Sequence, residues 1–221
     1  SRAYGMSSGV FSGHVNAVWG NHAVCLGGTM NEATGTGAAI IGGGMNYSSD
    51  YRSVILGGEY NRCEYGGEGA VAFGFQTTAR RRGELAQNSS NSGGRSIARM
   101  TGCAQTYATY FDYLYPSISV PTNTAVALTI TILGSWDGGP GKHALYRIDA
   151  VVQNSSGTIT ILYQNTTTLH NQDGEIPTAP QLVTGSSAVD VKVWGGSNYN
   201  YVYNARIEIV QLDLSYGGGS Y

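Results

Sequence analysis

Ligand chemistry in this 221-residue chain has to come from aromatic and amide side chains gathered beside turns in its C-terminal half. Trp136 stands beside Asp137 and a Gly-Gly-Pro-Gly run, Trp194 precedes Gly195-Gly196, and Asn198, Tyr199, Asn200, Tyr201 and Tyr203 follow at once. Aromatic faces stack on sugar rings, while Asn, Asp and Gln fix hydroxyl orientation. Tyrosine also offers large contact area for little rotamer entropy, and the chain holds 16 of them. Trp136, Asp137, Trp194, Asn198, Tyr199, Asn200, Tyr201 and Tyr203 are therefore the candidate ligand-binding residues. For Tyr110, Tyr113, Tyr115 and Tyr146 a place in the core or in a subunit interface is the stronger expectation.

Carboxylates offer a second kind of chemistry. Asp149 with Glu208, or Asp190 with Asp213, lie on runs of alternating polarity and could become neighbours. The same acids stand two residues from Arg147, Arg206 or Lys192, so solvated ion pairs on an open face are the stronger reading. No H-E-x-x-H or phosphate-loop motif occurs. His14, His22, His143 and His170 are dispersed, with no cysteine or carboxylate at ligand spacing. The expectation is a chain that is not an enzyme, with no catalytic residue, no metal and no cofactor.

Charge narrows the partners. Only 12% of residues are charged, against about 25% in an ordinary soluble domain, and the formal net charge is -2. Apart from Arg80-Arg81-Arg82 the basic residues are scattered, so the stripe that tracks phosphates is missing and nucleic acid is not an expected partner. No apolar run approaches the ~18–20 residues of a membrane span, which argues against membrane insertion. Cys25, Cys63 and Cys103 are odd in number and lack metal-ligand spacing; Cys25 reads as a buried free thiol.

The elements that must position these residues begin with a repeat. Gly27-Gly28-Thr29-Met30-Asn31, Gly42-Gly43-Gly44-Met45-Asn46 and Gly57-Gly58-Glu59-Tyr60-Asn61 start fifteen residues apart, after an earlier degenerate copy at Ser12–Asn16. Constant spacing means coils stacked along one axis. Val15, Met30, Met45 and Tyr60 make an apolar column, Val18, Ala33, Ser48 and Cys63 a small one, and Asn16, Asn31, Asn46 and Asn61 a column able to cap a turn or stack as an amide ladder. Glycines 27, 42 and 57 are expected where a turn needs a positive φ or a close backbone approach. Val24-Cys25-Leu26, Ala39-Ile40-Ile41 and Val54-Ile55-Leu56 are consecutive apolar runs, which suggests burial on both faces. A coil of fifteen residues is too thin to cover both. The same strand from neighbouring chains around a symmetry axis is the simplest cover, with Cys25, Ile40 and Ile55 at the interface; a loop or the second domain is the other.

The pattern of apolar triplet, glycine, asparagine, small residue and glycine turn resembles the head repeats of trimeric autotransporter adhesins, which recur in bacteriophage tail fibres. The resemblance covers roughly residues 10 to 76. It implies an all-β fold: a homotrimeric, left-handed parallel β-roll over residues 1–79 and a neck over 80–104. The neck arginines would then pair with Glu84 or Glu68 of adjacent chains. Residues 105–221 read as strands at Thr106–Leu114, Ala125–Leu133, Ala144–Gln153, Thr158–Asn165, Val189–Trp194 and Tyr201–Leu214, and point to an antiparallel, jelly-roll-like β-sandwich. The implied role is the distal part of a phage tail fibre on the virion, binding a host-surface glycan as a trimer, with other tail proteins as partners. Alternatives are a structural tail component, a glycan-cleaving tailspike, or a bacterial cell-surface adhesin, which would need a C-terminal membrane anchor not seen in Leu214–Tyr221.

Overall fold

A computed structural model describes residues 1–64, 66–88, 95–106, 111–136, 143–171, 178–186, 188–195 and 200–213. Two compact units, Ser1–Arg99 and Met100–Tyr221, divide the chain.

In the first unit short apolar runs and glycine turns alternate, so no strand can grow long. Six two-residue strands, β1 (Arg2–Ala3), β3 (Ala17–Val18), β5 (Glu32–Ala33), β7 (Tyr47–Ser48), β9 (Arg62–Cys63) and β11 (Thr78–Ala79), stack in that order as one parallel sheet. A second parallel wall is built from β2 (Gly9–Val10), β4 (Val24–Cys25), β6 (Ala39–Ile40), β8 (Val54–Glu59), β10 (Val71–Phe75) and β12 (Leu85–Asn88). The result is a β-solenoid of about six turns. Val10, Cys25, Ile40 and Ile55 stand in register along one wall, as Val18, Ala33, Ser48 and Cys63 do along the other. Val54 then pairs with Val71, two positions later than in the coils before it, and the register shifts again between Ala72 and Phe73.

The interior is thin and filled by small side chains, among them Ala33, Ala38, Ala72, Ala79 and Ala86, with Ile40 and Ile55 the largest apolar ones. Its hydrogen bonds are closed by asparagine. Each amide does two jobs: Asn31 Nδ2 donates to the carbonyls of Gly27 and Gly43, and its Oδ1 accepts from the Asn46 backbone N–H. Asn16, Asn46 and Asn61 repeat this arrangement. In this turn positive φ falls on Gly28, Gly43 and Gly58, and of Gly27, Gly42 and Gly57 only Gly57 has one. A Cβ on Gly28 would stand 2.1 Å from the Gly43 carbonyl oxygen, so the coils stack as closely as bare backbone allows.

Arg80–Glu84 form the turn between β11 and β12. The Glu84 carboxylate accepts from the Arg80 and Arg81 backbone N–H groups and pairs with the Arg81 guanidinium at 2.8 Å, both side chains being buried. Arg80 reaches Glu64 and Arg82 reaches Glu68. These pairs form within one chain, because Glu84 lies three residues along the same turn and Glu64 and Glu68 lie one coil back. The expectation of pairing between adjacent chains is corrected accordingly.

The second unit has long antiparallel strands. β16 (Thr124–Trp136) runs between β17 (His143–Ser155) and β21 (Tyr201–Asp213), β18 (Thr158–Asn171) flanks β17, and β13 (Arg95–Thr106) flanks β21. A smaller sheet joins β14 (Phe111–Tyr113), β15 (Ile118–Ser119) and β19 (Gln181–Thr184) to β20 (Ala188–Trp194). Five of the expected strands appear within a few residues of their anticipated bounds. The first does not: β13 ends at Thr106 and β14 holds only three residues.

Period-two alternation sorts the long sheet into faces. Val126, Leu128, Ile130 and Ile132 of β16 are buried with Tyr146, Ile148, Ala150 and Val152 of β17 and Ala205, Ile207 and Ile209 of β21. Odd positions of β16 and β17 and even positions of β21 face the other way. That outward face is polar at its centre.

Candidate functional site

The solenoid interior decides what the first unit can offer a partner. Cys25, Ile40 and Ile55 are fully enclosed within their own coils, so they have no surface to give to an interface. Alternation along each apolar triplet turns its last residue outward instead. Phe11, Leu26, Ile41 and Leu56 form an exposed column, from 41% to 76% accessible. Val15, Met30, Met45 and Tyr60 make a second exposed column, not a packed one. Their φ values are 54°, 55°, 54° and 58°, the left-handed region that costs a residue with a Cβ about 1–2 kcal/mol. A groove of about 330 Å3 runs beside Met30, Met45, Tyr47 and Arg62.

The aromatic candidates divide. Asp137, Asn198 and Tyr199 lie outside the described residues. Trp136, Trp194 and Asn200 are half-buried. Tyr201 and Tyr203 are buried, which corrects their assignment to a ligand-binding turn. They are the first inward positions of β21, and Tyr203 lies opposite Gly134, where a Cβ would stand 2.6 Å from the tyrosine ring. The glycine is what makes room for the ring. The Tyr203 hydroxyl donates to the Trp194 carbonyl at 2.5 Å, and burial pushes its phenol well above the ordinary range. Burial also raises Tyr146, to about 12.

The outward face of the long sheet holds an array of polar groups aimed at solvent. Thr129 of β16 stands between Asp149 of β17 and Glu208 of β21, and Thr131, one step along the same face, stands between Arg147 and Arg206. Arg147 binds Asp149 through Nε and Nη2 at 2.9–3.1 Å, and Arg206 Nη2 meets Glu208 at 2.6 Å. Thr129 Oγ1 donates to Asp149 at 3.1 Å. The Arg147 guanidinium holds the Asp149 carboxyl below the usual carboxylate range; burial opposes it, and the Thr129 hydroxyl adds a lesser lowering effect. Thr129, Thr131, Arg147, Arg206 and Glu208 line an open depression of about 300 Å3. Forked donors, carboxylate acceptors and hydroxyls alternating at strand spacing suit a polyhydroxyl ligand.

Alternation of the two runs allowed Asp149 and Glu208 to be neighbours and favoured their pairing with arginine; the arginine pairs form, and the two acids stand on either side of Thr129. The depression between them depends on β16 lying between β17 and β21, an order no local pattern states. Among the described residues no cluster of His, Cys, Asp and Glu could hold a metal ion, and no helix is long and apolar enough to cross a membrane.

No protein-family model matches the chain, and no curated protein matches it. The solved structures that align with it include three phage tailspikes. The tailspike of Acinetobacter baumannii bacteriophage Fri1, described as a capsular polysaccharide depolymerase, is 10% identical over 89% of this chain and 41% of its own, with a TM-score of 0.34. The A. baumannii phage AM24 tailspike is 10% identical over 98% of this chain and 49% of its own, TM-score 0.31. The Acinetobacter phage vB_ApiP_P1 tailspike is 9% identical over 89% and 53%, TM-score 0.26. This chain thus spans about half the length of each. At these scores the overlap argues nothing about residues or mechanism. The expectation that the chain is not an enzyme is nevertheless withdrawn: an aligned structure carries a depolymerase description, and Asp149 and Glu208 do stand either side of one residue on an open face.

Proposed function

We infer that this chain is part of a phage tail protein of the fibre or tailspike kind, carried on the virion, that engages a host-surface polysaccharide. The solenoid is the self-associating shaft, its coils repeating every fifteen residues and its exposed apolar columns covered by two further copies in a homotrimer. The second unit is a two-layered β head. What carries the polysaccharide reading is the array of Thr129, Thr131, Arg147, Arg206 and Glu208 around one sugar-sized depression, with Asp149 on the same face of the sheet. Its groups can accept from and donate to ring hydroxyls without any conformational change.

Cleavage is the second reading, and one observation favours it. Asp149 and Glu208 flank Thr129 from opposite sides, so their Cα atoms stand two strand spacings apart, roughly 10 Å. That spacing is close to the ~6.5–9.5 Å that separates the two carboxyl groups of inverting glycosidases. In that reaction Glu208, turned from its pair with Arg206 and protonated, would give its proton to the glycosidic oxygen, while Asp149, kept ionised by Arg147, takes a proton from the attacking water. The bond from the anomeric carbon to the leaving oxygen breaks as the bond to water forms.

The test is incubation of the purified protein with capsular polysaccharide and with lipopolysaccharide, following both retention and release of new reducing ends. Retention that falls in Arg147→Ala and Arg206→Ala supports engagement at this face. Reducing ends that vanish in Asp149→Asn and Glu208→Gln support cleavage. Neither retention nor release with any surface polysaccharide of the host overturns the reading.

A further inference from the structure

The smaller sheet of the second unit carries a feature that the polysaccharide-binding depression does not use. Along β20 the odd positions Val189, Val191 and Val193 are buried, leaving Asp190, Lys192 and Trp194 on the opposite face. β14 pairs beside it with Phe111 opposite Trp194 and Tyr113 opposite Lys192. Phe111 and Tyr113 are 49% and 42% exposed and meet edge to face at 5.7 Å. The Lys192 ammonium lies 3.6 Å from the Phe111 ring centroid and 5.2 Å from that of Trp194. No carboxylate pairs with it among the described residues. On its other side, across β19, stands the exposed amide of Gln181.

A large exposed aromatic group is expected at a binding surface rather than on a bare one. Here it surrounds the one cation of the sheet, and ring faces hold that ammonium without neutralising its charge. An aromatic face accepts the C–H side of a pyranose. An uncompensated ammonium beside it selects an acidic group on that same ring, and Gln181 can orient a neighbouring hydroxyl.

We propose that Phe111, Tyr113, Lys192 and Trp194 form a second carbohydrate subsite, selective for a sugar bearing a carboxylate, such as a uronic acid unit. This rests on the reading that the head takes hold of a polysaccharide and adds which class. Phe111 and Trp194 stack on the ring, and Lys192 turns from the Phe111 face toward the sugar carboxylate. A charge-assisted contact of this kind makes the acidic ligand about tenfold tighter than a neutral one of equal length.

The experiment compares oligogalacturonate with a dextran oligosaccharide of matched length, by calorimetry on the full chain, for wild type, Lys192→Met and Trp194→Ala. The expected result is a preference of about tenfold for the acidic oligosaccharide, lost in Lys192→Met with dextran affinity and melting temperature unchanged. Trp194→Ala weakens both ligands. Dextran bound as tightly as oligogalacturonate, or an acidic preference that survives Lys192→Met, overturns the proposal. If capsular polysaccharide is still retained through Arg147 and Arg206 in that case, the broader reading stands without it. If no carbohydrate binds at all, both fall.

Discussion

Replacing Asn31 by alanine tests whether the amide ladder holds the solenoid together. Asn31 is buried and makes three side-chain hydrogen bonds, to the Gly27 and Gly43 carbonyls at 3.0 Å each and from the Asn46 backbone N–H at 3.1 Å. The Gly43 carbonyl keeps a partner in the Thr29 N–H, so its loss is mild. The Asn46 N–H has no other acceptor among the described residues and is left buried and unpaired. An orphaned buried donor costs about 1–3 kcal/mol and each ordinary hydrogen bond about 1 kcal/mol, so Asn31→Ala should lose about 3 kcal/mol. Asn31→Asp separates the two halves of the amide. It keeps the acceptor for Asn46 but points a carboxylate at two carbonyl oxygens. That raises the folded-state pKa of the introduced carboxyl above its unfolded ~4. Stability of this variant is therefore greatest below pH ~4 and falls as pH rises through the raised value. Urea unfolding by circular dichroism reads both effects, at one fixed protein concentration so that the proposed self-association would contribute equally to each variant. A loss below about 1 kcal/mol for Asn31→Ala, or a pH-independent Asn31→Asp, would refute the ladder.

Ile41→Asp places a charge on the outward column and should lower the sedimentation coefficient from that of the assembly to that of a folded single chain. Ile40→Ala, inside the coil, should instead cost about 2–4 kcal/mol through the cavity it leaves; an Ile41→Asp variant that still sediments as the assembly removes the outward column from the interface. Gly134→Ala drives a methyl into the Tyr203 ring and should cost about 1–3 kcal/mol by thermal or urea unfolding. Tyr146→Phe should be neutral or slightly stabilising, since the buried Tyr146 hydroxyl has no hydrogen-bond partner among the described residues and its removal leaves none of them unpaired. Asp149 is held low by Arg147, so the interaction it makes is complete above the ordinary carboxylate value of ~4 and is lost only as pH falls through the lower, folded-state value. Polysaccharide retention should stay flat from neutral pH to about 4, and in Arg147→Gln should begin to fall earlier; a wild-type decline already at pH ~6 contradicts this.

Column reading recovered what repetition enforces and missed what phase decides. Asn16, Asn31, Asn46 and Asn61 were legible as cap or ladder, and the same side chain does both, one amide atom for each. The small column from Val18 to Cys63 belongs to the interior because that wall has no room for more. Within Ala39-Ile40-Ile41, three apolar residues in a row conceal which one points inward; register with Cys25 and Ile55 shows it to be Ile40. In the head, alternation through Ala205–Leu212 located β21, yet Tyr201 and Tyr203 were read with the glycine-rich stretch before them. Carried back two steps, the inward phase of Ala205 and Ile207 reaches both tyrosines. Lys192 and Phe111 had no local signal, since eighty-one positions separate two residues that only the pairing of β14 with β20 brings together.

The left-handed column gives the physical reason to look outside this chain for what completes the solenoid. Val15, Met30, Met45 and Tyr60 occupy a conformation glycine would adopt without strain, and at about 1–2 kcal/mol each they carry several kcal/mol of strain between them. Within the chain that strain is poorly compensated, because all four side chains remain about half exposed. The adjoining turn already uses glycine freely, at 28, 43 and 58, where the backbone of the next coil leaves no space for a Cβ. At the neighbouring positions space is open, and the residues found there are large and apolar. A strained backbone that aims oily side chains at solvent, coil after coil, is stabilised when another surface of the same pitch covers them. A second copy of the solenoid has that pitch by construction, which a partner lacking the repeat does not.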